Sequence, residues 1–193
     1  MILLLSAVLG IGVGLLSGGS VRRCAHYPLR GALLPIAALL IKFGASLLFE
    51  PQKFAVAVCA LQYALVFLFL LINRKLAVWP PVLFAGAFSN FLVILLNGGC
   101  MPVSAALMGT DSSRAAALKA GEIYAYAAVT SRTKLPLLGD VLRFGPAGMP
   151  IGFASAGDLV LCAGVLLLAL LMTRYRGTDS GGKTAAPKGE SGL

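Results

Sequence analysis

Two aspartates, Asp140 and Asp158, are the residues best suited to do chemistry. Carboxylates brought close together share a proton, so that one serves as base and the other as acid. A pair of this kind supports hydrolysis without a metal. Asp158 also has an ordinary structural reading. Ser155-x-x-Asp158 has the spacing of a capping box at the head of an apolar run. An acid in the first turn of a helix is stabilised by the helix dipole. The residues leave both readings open, with the balance against an enzyme.

Three further polar residues, Lys42, Gln62 and Asn90, interrupt apolar runs. Counted from the same end of their helices, all three lie roughly 9–12 Å deep at 1.5 Å per residue. A lysine at the centre of a membrane helix costs about 2.5–3.5 kcal/mol on insertion scales, and such residues usually face a bundle interior. One reading is a shared polar ligand pocket. The other is separate solutions, with Lys42 reaching out to the interface and the two amides bonding across helices. Asn97 and Met101 lie above that depth in Asn97-Gly98-Gly99-Cys100-Met101-Pro102-Val103-Ser104. They complete the candidate ligand-binding set of Lys42, Gln62, Asn90, Asn97 and Met101.

The elements that must position these residues are membrane helices. Of the 193 residues 59% are hydrophobic and 12% charged, against about 25% charged in soluble domains. The mean hydropathy is +0.91. Apolar runs over residues 2–17, 32–49, 54–72, 76–96 and 156–172 predict five spans. The expected fold is therefore all-α and integral to the membrane. It is a bundle of five transmembrane helices in one domain, residues 1–175. Residues 176–193 are poor in apolar mass and read as a disordered cytoplasmic tail.

The net charge of +9 is an orientation signal rather than a mark of nucleic-acid binding. Arg22, Arg23 and Arg30, then Arg74 and Lys75, then Arg174 and Arg176 all fall at one end of the predicted bundle. The positive-inside bias makes that end cytoplasmic, with the N-terminus outside and the C-terminus inside. Contact of these loops with anionic lipid is an expected side effect. The basic residues follow the first apolar run instead of preceding it, so that run reads as a retained helix rather than a signal peptide.

Residues 97–155 form the long outer segment. Asp111-Ser112-Ser113 before an Ala-rich stretch and Gly121 after it predict a short capped helix. Residues 122–129 are expected to form a second. Leu135, Leu138, Val141 and Leu142, at helical spacing, predict a third. The segment reads as a cap of short helices on the outer face.

No phosphate-binding glycine loop, nucleophile elbow or zinc pattern occurs. Cys24, Cys59, Cys100 and Cys162 form no CxxC pair, and His26 is the lone histidine. Neither a metal nor a cofactor is expected.

Two resemblances remain. An aspartate in apolar context followed by Phe153-x-x-x-x-Asp158 resembles the signal peptidases that process lipoproteins, over some twenty-five residues. That family's Asn-x-x-Asp-Arg element is missing around Asp140. The second is broader. Leu16-Ser17-Gly18-Gly19, Asn73-Arg74-Lys75, Asn90-Phe91-Leu92-Val93, Asn97-Gly98-Gly99-x-Met101-Pro102-Val103-Ser104, Thr133-x-Leu135-x-x-Leu138-Gly139-Asp140 and Ser155-x-Gly157-Asp158 occur in order. Together they resemble an uncharacterised bacterial polytopic membrane-protein family, domain of unknown function 5317. The resemblance departs at Cys100, where the family tends to be basic, and at Tyr124–Tyr126, where it often has a histidine. It implies a bacterial cytoplasmic membrane location and no particular activity. The expected partners are the lipid bilayer and, at the outer face, a lipid, a small molecule or an envelope protein.

Overall fold

The computed structural model describes residues 2–50, 52–76, 78–108, 113–144 and 152–177. The chain is mostly helical, with two small sheets. Five long helices are α1 (Ile2–Leu16), α3 (Leu33–Leu48), α4 (Ala55–Ile72), α5 (Trp79–Leu96) and α7 (Ala156–Arg174). Two short ones are α2 (Val21–Cys24) and α6 (Ser113–Ala120). Three helices, α4, α5 and α7, are long and apolar enough to cross a membrane; α1 and α3 are apolar but shorter. Their outward faces carry apolar side chains such as Leu4, Leu39, Phe43 and Leu48, each more than 60% exposed. A surface of this kind suits lipid better than water.

The long helices form a row. α1 packs on α7, α7 on α5, α5 on α4, and α4 on α3. Glycines on α1, α5 and α7 make the two contacts of α7 close. A Cβ on Gly86 of α5 would lie 2.7 Å from the Gly157 carbonyl oxygen of α7, and one on Gly157 would strike the Asn90 amide. On the other side, a Cβ on Gly10 of α1 would meet the Leu166 carbonyl at 2.5 Å. In lipid, where apolar surface gains little from helix contact, close backbone approach and dispersion hold helices together. A Cβ on Gly14 of α1 would strike the Thr173 side chain of α7, whereas one on Gly12, between Gly10 and Gly14, would meet nothing within 4 Å.

The end where Arg22, Arg30, Arg74 and Arg174 lie closes on an aromatic cluster. Trp79 is fully buried and donates its indole N–H to the Tyr27 hydroxyl at 3.0 Å. The Tyr27 ring meets Tyr175 edge-on at 5.3 Å. Trp79 is thus an interior residue packed with Phe69, Leu70 and Leu83.

The expected cap of short helices is corrected. Between α5 and α7, only α6 and two short 3-10 turns are helical among the described residues. Residues 122–129, read as helix, instead contain strand β2 (Tyr126–Ala128). It pairs in parallel with β1 (Met101–Val103), Met101 opposite Tyr126. The predicted third helix is a 3-10 turn at Pro136–Leu138 followed by β3 (Leu142–Phe144), antiparallel to β4 (Gly152–Ala154). Long-range backbone pairing overrode local helix propensity here. At Gly139 the backbone turns extended and approaches β1 so closely that a Cβ would lie 2.5 Å from the Pro102 carbonyl. Asp111 and Ser112, the expected N-cap of α6, and residues 178–193 of the expected tail lie outside the described residues.

The tight α5–α7 contact makes a prediction. Gly157→Ala should destabilise the protein by about 1–3 kcal/mol through overpacking. Gly12→Ala should stabilise it by about 0.5–1 kcal/mol through helix propensity. Melting temperatures of both variants in one detergent check this; a neutral Gly157→Ala would remove the contact's importance.

Candidate functional site

Strand β1 is buried along its length, at the end of the molecule where α5 finishes and α7 begins. On one side it pairs with β2. On the other, Val103 forms a parallel bridge with Asp140. The Asp140 amide donates to the Pro102 carbonyl at 2.8 Å, and the Ser104 amide donates to the Asp140 carbonyl at 3.2 Å. Pro102 has no N–H to give on that side, and its carbonyl takes the bond instead. The Asp140 backbone is therefore rigidly placed.

Its side chain is not satisfied. Asp140 is 8% exposed, and its Oδ1 is buried without a hydrogen-bond partner among the described residues. Burial pushes the Asp140 carboxyl up to about 6; the negative charge of Asp158 adds to the rise, and the Lys42 ammonium opposes it. A buried acceptor left unpaired is costly, and such groups cluster at functional sites. Asp140 lines a cavity of about 320 Å³. Arg114, from the first turn of α6, is its cationic wall; Tyr126, Ile2, Phe144 and Phe153 supply rings and apolar surface.

Asp158 is in a different state. Its Oδ2 accepts the Ser155 amide at 3.0 Å, and its own amide donates to Ser155 Oγ at 2.9 Å, completing the capping box. Its Oδ1 accepts from Asn90 Nδ2 at 2.7 Å, while Ser155 Oγ donates to Asn90 Oδ1 at 2.9 Å. Both carboxylate oxygens are engaged, and among the described residues no hydrogen bond joins Asp158 to Asp140. Asn90 thus faces α7.

Lys42 and Gln62 lie apart from Asn90. They line a recess of only about 10 Å³ with Cys59, Tyr63 and Tyr124, room for about one water. The expected grouping of Lys42, Gln62 and Asn90 in one pocket does not form, because the rotation of α5 aims Asn90 at α7. The Lys42 ammonium sits 5.3 Å from the centroid of the Tyr126 ring, a cation–π distance. Tyr126 is thereby shared between Lys42 and the Asp140 cavity. Asn97 caps α5 and clamps the Lys134 backbone, donating to its carbonyl and accepting from its amide, each at 2.9 Å. Met101 is buried in β1 and donates its amide to the Ala125 carbonyl at 2.9 Å. Neither lines the Asp140 cavity.

Residues missed from the sequence are Arg114, Tyr126 and Gln52. Gln52 donates to the Tyr126 carbonyl at 3.0 Å and accepts from the Cys100 thiol. Burial pushes that thiol up, so it stays protonated and unreactive. One signal was available: Asn90 and Ser155-x-x-Asp158 sit at similar depth in apolar surroundings, where polar groups must find one another. All four cysteines are free. Among the described residues no cluster of His, Cys, Asp or Glu has the form of a metal site.

Residues 26–170 match a family described as Family of unknown function (DUF5317). No curated protein and no solved structure matches the chain.

The state of Asp140 has a pH signature. Its carboxyl loses a proton near pH 3.8 when unfolded and near 6 when folded. Its contribution is therefore present in full below about pH 4 and is lost as pH rises through 6. Asp140→Asn should be more stable than the wild type at pH 7.5, with the gap closing towards pH 4. Thermal unfolding in micelles across that range tests it; a pH-independent gap would remove Asp140 as the cause.

Proposed function

The chain belongs to the Family of unknown function (DUF5317), and from that premise we propose a polytopic protein of the bacterial cytoplasmic membrane that captures a small amine-bearing ligand at its outer face. Membership in the family carries no activity, so the proposal rests on the site. The observation that carries it is Asp140, which lines a cavity of about 320 Å³ together with Arg114 and whose buried Oδ1 has no hydrogen-bond partner among the described residues. A ligand ammonium offers that oxygen the charge-assisted bond it lacks. An anionic group on the same ligand suits Arg114, and a modest apolar body suits Ile2, Phe144 and Phe153. A zwitterion meets all three demands. Lys42 acts through Tyr126, holding the ring that forms one wall.

All five long helices serve as spans in this reading. At 1.5 Å per residue α1 and α3 reach about 22–24 Å, short of a hydrocarbon core of about 30 Å. Local bilayer thinning and packing against longer neighbours accommodate such a mismatch. The basic loops face the cytoplasm, and the 97–155 segment is the outer cap. The di-aspartyl hydrolase is the weaker reading, because Asp158 has both carboxylate oxygens committed to Asn90 and the Ser155 cap. A nucleophilic water would have to displace one of those bonds.

Two experiments test this. Small molecules released from the purified protein and identified by mass spectrometry should include an amine-bearing species that Asp140→Asn and Arg114→Gln lose while keeping a cooperative melt. Identical release from all three proteins would end the proposal. For orientation, single cysteines are placed by Ser131→Cys or Ala25→Cys in a variant with the native cysteines replaced. An impermeant thiol reagent on intact cells should label position 131 and spare position 25; the reverse pattern would invert the topology.

A further inference from the structure

The opposite end of the molecule holds a second built site. A cavity of about 540 Å³ lies between the α2–α3 and α4–α5 connections, lined by Arg30, Arg74, Lys75, Pro28, Leu71 and Ile72 among others. Its walls are held by Asn73, which is 1% exposed. The Asn73 side chain accepts from the Arg30 amide at 3.0 Å, donates to the Arg30 carbonyl at 2.7 Å, and donates to the Phe69 carbonyl at 2.8 Å. One buried amide thus fixes the Arg30 backbone beside Arg74 and Lys75. Three cations are brought to one hollow, and no acidic side chain lines it. The ion pair Lys53–Glu50 belongs to the α3–α4 turn at the other end; none of Arg30, Arg74 and Lys75 has a carboxylate partner among the described residues.

A second hollow adjoins the first. About 320 Å³ in volume, it lies between α4 and α5 along Phe67, Leu70, Pro80, Pro81 and Phe84. Leu71 and Arg74 line both hollows. The second is open to the outside and apolar, with Phe84 47% and Leu71 57% exposed. Both of its helices are long and apolar enough to cross a membrane. A cationic hollow that runs into an apolar groove along two such helices has the form of an amphiphile: an anionic head and a hydrocarbon chain.

We infer that this end binds one anionic phospholipid, its phosphate between Arg30, Arg74 and Lys75 and an acyl chain in the α4–α5 groove. Charge complementarity names the head, since three unpaired cations converge where a neutral headgroup would leave them uncompensated. The groove names the chain, since a free phosphate would leave it unused. Each cation at a membrane surface strengthens attraction to anionic lipid, and Arg presents a fork matched to phosphate oxygens. The inference is independent of the Asp140 cavity, which lies at the other end of the molecule.

The test uses the full chain in a neutral detergent, titrated with phosphatidylglycerol or phosphatidylcholine and read by native mass spectrometry. Phosphatidylglycerol should remain bound at one copy per chain and phosphatidylcholine should not. The triple variant Arg30→Gln, Arg74→Gln, Lys75→Gln should lose roughly 10- to 100-fold in phosphatidylglycerol affinity. A control that removes as many charges at the same end, Arg22→Gln, Arg174→Gln, Arg176→Gln, should change it less than about 2-fold. Equal losses in both variants would reduce the site to diffuse surface charge and overturn the inference. Glycerol phosphate at millimolar concentration should not displace the lipid; displacement would make this a site for free phosphate esters and overturn the role of the groove. Should the triple variant lose its cooperative melt, Arg74→Gln alone decides, because Arg74 borders both hollows and its side chain makes no hydrogen bond among the described residues. An unchanged affinity in that variant would end the proposal.

Discussion

The closed set of hydrogen bonds among Asn90, Ser155 and Asp158 is the interaction on which the rest depends. Four bonds, of 2.7 to 3.0 Å, start α7, tie it to α5 and satisfy every polar atom they involve. Away from water a polar group without a partner is expensive, so removing one member would strand the others. The set forms only because Gly157 and Gly86 let the two backbones approach, and Gly157 sits directly against the Asn90 amide. Small residue and polar network are therefore one device: the first sets the helix separation that the second requires. With α7 so fixed, α1 gains a flat partner on its other side and β4 is delivered next to β3.

Asparagine does the same work at three places. Asn73, Asn90 and Asn97 each use both the donor and the acceptor of one amide on a distant partner. Asn73 and Asn97 pair with a backbone amide and carbonyl as a neighbouring strand would, one at each end of the bundle. A loop held in this way needs no sheet. Against that background of completed pairs, Asp140 is conspicuous: its backbone is bonded on both sides, whereas its side-chain Oδ1 has no partner among the described residues.

Legibility in the sequence followed the length scale of each signal. Long apolar runs place the five major helices within about three residues, because the demand for continuous hydrophobicity is local and strong. The box Ser155-x-x-Asp158 was readable for the same reason. The strands between α5 and α7 were not. Each is three residues long, too short for alternation to show, and the pairing of Met101 with Tyr126 is decided by the closure of the intervening chain. Helical spacing among Leu135, Leu138, Val141 and Leu142 was coincidence, interrupted by the close approach at Gly139. For the polar residues, direction about the helix axis was not readable. Lys42 and Gln62 line one recess, but rotation about α5 turns Asn90 towards Asp158 of α7. Asn97 and Met101, flagged as binding residues, hold backbone in place.

The row of helices places the first long helix beside the last. α1 precedes α3, α4 and α5 in the chain, yet its close neighbour α7 follows all of them. Gly10 and Gly14 of α1 lie against Leu166, Ala169 and Thr173 of α7. That contact closes a loop through every other long helix, and the entropy of closing a loop grows only slowly with its length. Insertions in the connections between α1 and α7 therefore cost this contact little, whereas a single side chain added at Gly10 or Gly14 acts on it directly.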